Sequence, residues 1–124
     1  MAYTLKSVRT DFKGGKNILA SEVLQYIHAG ATLAGDKFPA GLIEVGTLIA
    51  RNVSTGKYEP YVDGGEGFDN FYILNEAHQH DGESDAITGA VLIAGSVYEA
   101  KLPVAPTAHF KEATQGNIFY VTHV

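Results

Sequence analysis

The sequence of 124 residues contains no cysteine. This absence excludes disulfides, thiolate zinc sites, iron–sulfur clusters and cysteine nucleophiles together. No stretch approaches the roughly 20 apolar residues that a membrane-spanning helix requires, and residues 1–7 lack the basic, apolar and small-residue order of a signal peptide. With a hydrophobic content of 45%, the chain is typical of a globular protein. We therefore expect a soluble protein that is made without a Sec-type leader and has no membrane partner.

Positive charge is also missing from a long part of the chain. Residues 58–100 carry nine acids and no Lys or Arg, whereas residues 1–20 carry four cations against Asp11 alone. A basic segment ahead of an acidic body can be steered toward an acidic partner surface, although the same distribution also serves solubility. Four scattered cations make a poor electrostatic footprint on nucleic acid, so we expect no nucleic-acid partner.

The sequence also lacks long segments with the apolar periodicity of a helix. No extended segment keeps a helical apolar period, and 14 glycines are spread along the chain. A chain of this length most often forms one domain. We assign residues 1–20 to an extended N-terminal arm and residues 21–124 to a single β-rich domain.

A β-hairpin is the clearest element. Residues 41–51 predict a strand in which Gly46 makes a bulge or bend. Residues 52–56 have the composition of a turn, and residues 57–61 alternate in the manner of a second strand.

The other elements are short. Residues 21–27 contain Val, Tyr and Ile, which favour a strand, although Ser21 can also begin a helix. A helix over residues 108–115 is predicted by Thr107 as N-cap and Gly116 as stop. Further strands are predicted at residues 71–74, 90–100 and 117–121. Together these elements predict a mainly β fold, a small barrel-like or sandwich-like domain with one short helix near the C-terminus.

The stretch NEAHQHDGESDA, residues 75–86, contains the strongest metal candidate. On a strand, His78 and His80 would point to the same face, and Asp81 or Glu76 could supply a third ligand. Such a site would suit a small metal-dependent hydrolase. However, the segment contains glycine and little apolar support for a dry metal shell, so we interpret it as a solvated surface loop.

Other signals of chemistry are weak. There is no G-x-S-x-G elbow and no P-loop spacing, so we expect neither an enzyme nor a bound cofactor or metal. A second alternative is a glycan-binding β module that presents exposed aromatic side chains. For these side chains, packing within the hairpin is the competing interpretation. They are Tyr58, Tyr61, Phe68, Phe71 and Tyr72.

One further pattern is distributed along residues 24–105. Its parts are GATLAGD at 30–36, PAGLIEVGTLIAR at 39–51, STGKYEPY at 54–61, DGGE at 63–66, YIL at 72–74 and VLIAGSVY at 91–98. An acidic connection separates the last two. This order resembles the head decoration proteins of tailed bacteriophages, the lambda-type capsid-cementing family, and the hairpin with Lys57, Tyr58 and Pro60 is its most specific piece.

The resemblance implies a tulip-like β fold that trimerises at the three-fold positions of a capsid. It implies a structural protein on the exterior of the phage head, made in the host cytoplasm, with the major capsid protein and two further copies of itself as partners. It also implies that the N-terminal arm adds to strands of neighbouring capsid subunits and stabilises the head against internal pressure.

An extended arm with Tyr3, Leu5 and Val8 is suited to strand addition, which supplies main-chain hydrogen bonds and side-chain pockets. Its basic residues suit an acidic capsid surface. The residues predicted to contact the capsid are Ala2, Tyr3, Thr4, Leu5, Lys6, Val8, Arg9, Lys13 and Lys16.

Overall fold

The computed structural model describes residues 18–21, 24–63 and 65–122. All nine residues predicted for capsid contact lie outside this described part of the chain. The described residues confirm the predicted fold class, because they form a mainly β domain with a curled half-barrel sheet and a short α-helix near the C-terminus.

The described residues form ten strands and one α-helix. The strands are β1 Gln25–Tyr26, β2 Ala31–Leu33, β3 Gly41–Ile43, β4 Leu48–Asn52, β5 Tyr58–Pro60, β6 Phe68–Leu74, β7 His78–His80, β8 Ala86–Thr88, β9 Val91–Tyr98 and β10 Ile118–Val121. The helix α1 spans Ala108–Ala113, and a 3₁₀ turn spans Glu99–Lys101.

The large sheet has the strand order β1-β9-β6-β4-β5-β2-β8, with β10 lying parallel to β9. Most neighbours are antiparallel, and β2 with β5 is the other parallel pair among the described strands. A separate two-stranded sheet is formed by β3 and β7. Curling of the large sheet gives the half-barrel.

The predicted hairpin is confirmed. β4 pairs antiparallel with β5, so that Arg51 lies opposite Tyr58. The turn between them is fixed locally, because the Asn52 side chain accepts the backbone N–H of Ser54 at 2.9 Å. Gly56 then adopts a φ of +74°, which glycine reaches without steric cost. The residues that predicted this hairpin, Asn52 and Gly56, act within the turn itself.

Two predicted strands have the wrong extent. Residues 41–51 form two strands in different sheets, β3 and β4, instead of one bent strand. Gly46 makes the break at a φ of +94°, and its N–H donates to the carbonyl oxygen of Leu74 at 2.7 Å. Of the described residues in 21–27, Gln25–Tyr26 form the strand, and residues 21, 24 and 27 lie outside it.

The predicted C-terminal elements are confirmed. Helix α1 begins after Thr107, whose hydroxyl accepts the backbone N–H of Phe110 at 3.3 Å. Gly116 follows the helix with a φ of +87°. The closing strand, β10, then pairs with β9. Among the described residues, no helix has the length and apolar character needed to cross a bilayer.

The large sheet is covered on both faces. Neighbouring residues of one strand enter different core clusters: Leu48 and Leu92 pack with Phe110, whereas Ile49 and Val91 pack on the opposite side with Leu33 and Phe38. This two-sided burial explains why β4 and β9 read as continuous apolar runs instead of alternating patterns.

The folded domain also includes residues at the end of the assigned arm. Ile18 is fully buried in the core, and its carbonyl oxygen accepts the N–H of Tyr98 at 2.8 Å. Two residues later, the N–H of Ala20 donates to the carbonyl oxygen of Ser96 at 2.8 Å. Residues 18–20 therefore lie along the edge of β9 as part of the domain.

Candidate functional site

The described residues that come next after the predicted capsid-contact residues are Ile18–Ala20, at the end of the assigned arm. Leu19 lies opposite Val97 in an antiparallel bridge. Ile18 therefore lies at the end of β9 that continues into the 3₁₀ turn Glu99–Lys101. The arm is joined to the domain through a residue that is held by both core packing and the hydrogen bond to Tyr98.

An apolar groove with a volume of about 390 Å³ lies beside this attachment point. Its walls come from β3, from the end of β5 and from residues 103–107. The apolar side chains that line it include Phe38, Leu42, Ile43, Pro60, Pro103 and Val104. Leu42 and Val104 are 58% and 67% exposed, so the groove presents a large apolar surface to water.

The described charged residues of the groove are all acidic. The described residues that line it include two acids, Glu44 and Asp63, and no Lys, Arg or His. Asp63 also accepts the hydroxyl of Tyr61 at 3.1 Å, which positions its carboxylate at the groove edge. The groove is thus an apolar cleft with an acidic edge.

Gly46 is the point where the arm attachment and the groove meet. A Cβ atom at this position would lie 3.0 Å from Pro103 Cδ and 3.5 Å from Ile18 Cγ2. Pro103 belongs to the groove wall, so Ile18 lies immediately beside that wall. This proximity was not predicted, because it depends on contacts between residues far apart in the sequence.

The histidine stretch is not a surface loop throughout, and this part of the interpretation is wrong. His78–His80 form strand β7, in which His78 lies opposite Ile43 and His80 opposite Gly41. His80 is buried, with 5% of its surface exposed. The two imidazole ring centres are 6.1 Å apart. The period-2 spacing that indicated a metal site is also the spacing of an ordinary strand.

The polar atoms of this stretch bind other protein groups. His80 Nε2 donates to the backbone oxygen of Gly35 at 2.8 Å, and its Nδ1 lies 4.0 Å from Asp81 Oδ1. Glu76 accepts the hydroxyl of Thr88 at 2.9 Å. In the part of the chain that the structure describes, no three His, Asp or Glu side chains are arranged to hold a metal ion.

Asp81 caps the loop that follows β7. Its Oδ1 accepts the backbone N–H groups of Ser84 and Glu83 at 2.8 Å each. These hydrogen bonds stabilise the charged carboxylate, and they lower the pKa of Asp81 to about 2. Asp81 is therefore a structural acceptor in this loop.

Gly35 is held between the histidine strand and the acidic loop. Its N–H donates to Asp85 Oδ1 at 2.8 Å, while Lys57 forms an ion pair with the other carboxylate oxygen at 2.6 Å. The Gly35 bond and then Lys57 lower the pKa of Asp85. A Cβ at Gly35 would lie 2.2 Å from the backbone carbon of Ser84, so only glycine fits. No pattern in the sequence distinguishes Gly35 from the other glycines.

Four of the five aromatic residues considered for glycan binding pack against other aromatic rings. Tyr58 is buried and stacks on Tyr72, with ring centres 6.0 Å apart, and burial raises its pKa. Tyr61 contacts Phe71 edge to face at 5.8 Å and Phe110 at 4.9 Å. The fifth candidate, Phe68, lies beside Gly65, where a Cβ atom would be 3.2 Å from Phe68 Cε2.

Comparisons with protein-family models, with curated proteins and with solved structures find no match for this chain.

Proposed function

We propose that this protein is a structural virion protein that binds the outside of a phage capsid and stabilises it, with its N-terminal arm contacting capsid subunits. The observation that carries the proposal is the attachment of the arm. A basic segment of 17 residues precedes Ile18, which is fully buried.

The attachment is suited to bearing load. Residues 18–20 are hydrogen-bonded along one side of β9, and β9 is flanked on its other side by β6 and β10. A pull on the arm is therefore transmitted to strands inside the sheet. Because Ile18 also packs with Leu92, Val97 and Phe110, extracting it would expose apolar core surface to water.

The arm sequence supplies the capsid contact in this proposal. Tyr3, Leu5 and Val8 provide apolar side chains for strand addition to a capsid subunit. Lys6, Arg9, Lys13 and Lys16 provide charge complementarity to an acidic capsid surface. Three copies at a three-fold position would multiply modest contacts into firm attachment, because the second and third arms bind at a high effective concentration.

Neither alternative function has comparable support. For a metal-dependent hydrolase, His80 has one ring nitrogen bonded to Gly35 and is buried, and Asp81 is bonded to two backbone N–H groups. For a glycan-binding module, Tyr58 is buried and Tyr61 is engaged with Phe71 and Phe110.

The test is to measure the size of the purified protein in solution and then its co-sedimentation with expanded and unexpanded heads of the phage that carries it. We expect saturable binding to expanded heads, with three copies bound for each occupied three-fold position. Failure of the intact, folded protein to sediment with either kind of head would overturn the proposal.

A further inference from the structure

We propose that the apolar groove beside Ile18 is a binding site for the N-terminal segment of the same chain, with Phe12 as its apolar anchor. This inference does not depend on the capsid proposal, because it concerns the isolated protein. It rests on three observations: the groove lies near Ile18, the chain between Ile18 and Phe12 is long enough to enter the groove, and the segment and the groove carry opposite charges.

The described residue that follows the segment, Ile18, lies next to the groove. Ile18 and the groove residue Pro103 both approach Gly46, within 3.5 Å of the position that a Cβ would take there. Ile18 accepts the N–H of Tyr98, the last residue of β9 before the Glu99–Lys101 turn. That turn leads directly into residues 103–107, which form one wall of the groove.

Phe12 is within reach of the groove. It lies six residues before Ile18, and an extended chain spans at most about 3.3–3.6 Å per residue, or roughly 20 Å over this distance. Phe12 is the large apolar side chain nearest to Ile18 on its N-terminal side, since residues 13–17 read KGGKN. The two glycines permit the tight change of direction that entry into a groove beside the attachment point requires.

The lining of the groove is chemically suited to an aromatic side chain. Leu42 and Val104 are more than half exposed, and they face a cleft of about 390 Å³. Such a volume lies within the range of about 300–1,000 Å³ that is typical of protein binding pockets. A phenylalanine ring placed there would remove its own surface, and that of both aliphatic side chains, from water.

Charge favours this segment over other parts of the chain. Lys13 and Lys16 follow Phe12, and the described charged residues of the groove, Glu44 and Asp63, are both acidic. Opposite charges at the edge of an apolar site orient the segment and increase its rate of docking. Because these groups are at the surface, added salt should weaken the interaction.

Cross-linking of introduced cysteines tests this proposal, since the natural chain has none. The test variant carries Asp11→Cys and Val104→Cys, which places one thiol beside Phe12 and one in the groove. The matched control carries Asp11→Cys and Ile87→Cys, because Ile87 is 81% exposed and is not a groove residue. Both variants are oxidised as dilute, folded, full-length protein.

We expect the Val104 variant to form its intramolecular disulfide at least about tenfold faster than the Ile87 control, because docking raises the effective concentration of the thiols. Adding Phe12→Ser to the Val104 variant should lower the rate to that of the control. Equal rates in the two variants, or no effect of Phe12→Ser, would overturn the proposal. Disulfide-linked dimers as the main product would overturn it too, since they would show docking of the segment from another copy.

A second readout does not require a disulfide. A nitroxide label on Asp11→Cys should broaden the backbone NMR signals of Leu42 and Val104 and leave that of Ile87 sharp. The isotope-labelled, nitroxide-carrying protein is diluted with protein that carries neither label, so that the broadening reports contacts within one chain. Uniform broadening, or no broadening in the groove, would contradict docking of the segment within its own chain.

Discussion

His80 and Gly35 are joined by a buried hydrogen bond, although 45 residues separate them in the sequence. The Nε2–H of His80 donates to the backbone oxygen of Gly35 at 2.8 Å. This bond connects strand β7 to the loop after β2, and it gives the histidine a structural role. The ring also packs edge to face on Phe38, with ring centres 6.2 Å apart.

Replacement of His80 should therefore reduce stability. The variant His80→Ala leaves a buried carbonyl without its donor and opens a cavity beside Phe38, so we expect a loss of about 2–4 kcal/mol in the free energy of unfolding. The matched variant His78→Ala removes the less buried histidine and should cost less than about 1 kcal/mol. Urea denaturation of both variants measures the difference. Equal losses would contradict the structural role of His80.

Gly35 should tolerate no side chain. The variant Gly35→Ala places a methyl group 2.2 Å from the backbone of Ser84, so we expect a loss of more than about 3 kcal/mol, or failure to fold. Gly89→Ala is the matched control, because a Cβ there would meet nothing within 4 Å. Thermal unfolding midpoints test this pair. A Gly35→Ala variant as stable as the control would show that the contact between this loop and Ser84 is wrongly placed.

Asp81 should make stability depend on pH in acid. Folding lowers its pKa to about 2, so the charged carboxylate stabilises the fold above its unfolded pKa of about 3.9, and this contribution is lost as the pH falls toward 2. We expect Asp81→Asn to remove part of the loss of stability between about pH 5 and pH 2. Urea denaturation of both proteins at several pH values in this range measures how the free energy of unfolding changes with pH. Identical pH profiles of the two proteins would contradict the capping role.

The charges at the start of the arm should contribute to capsid binding. Replacing Lys6 and Arg9 by Gln should weaken binding to expanded heads about 3- to 10-fold, and the effect should shrink at high salt. The matched control replaces Lys37 and Lys101 by Gln, which removes the same charge from the domain. Fluorescence titration of both variants at two salt concentrations gives the comparison. Equal weakening by the control would assign the effect to net charge instead of to the arm.

The elements predicted correctly have short-range causes. The hairpin turn is fixed by Asn52 and Gly56, and helix α1 is bounded by Thr107 and Gly116, all of which act within a few residues. The histidine strand is different. Whether residues 78–80 form a strand depends on pairing with β3, in which His80 meets Gly41, and no local signal in the sequence specifies that pairing.

The candidate site was predicted only in part. The basic composition of the arm can be read directly, but its attachment through Ile18 depends on pairing with β9 across a separation of about 80 residues. The groove likewise brings together residues 38–48, 60–63 and 103–107. Because these segments meet only in the folded chain, the apolar residues Leu42 and Val104 gave no separate signal in the sequence.

Deletion of residues 2–16 is the most direct test of capsid contact by the N-terminal arm. The deletion retains Ile18 and the domain, so the variant should still fold and unfold cooperatively. Co-sedimentation with expanded phage heads, under conditions in which the intact protein saturates them, is the measurement. We expect the folded deletion variant to stay in the supernatant. Retention of full binding by this variant would contradict the assignment of capsid contact to the arm.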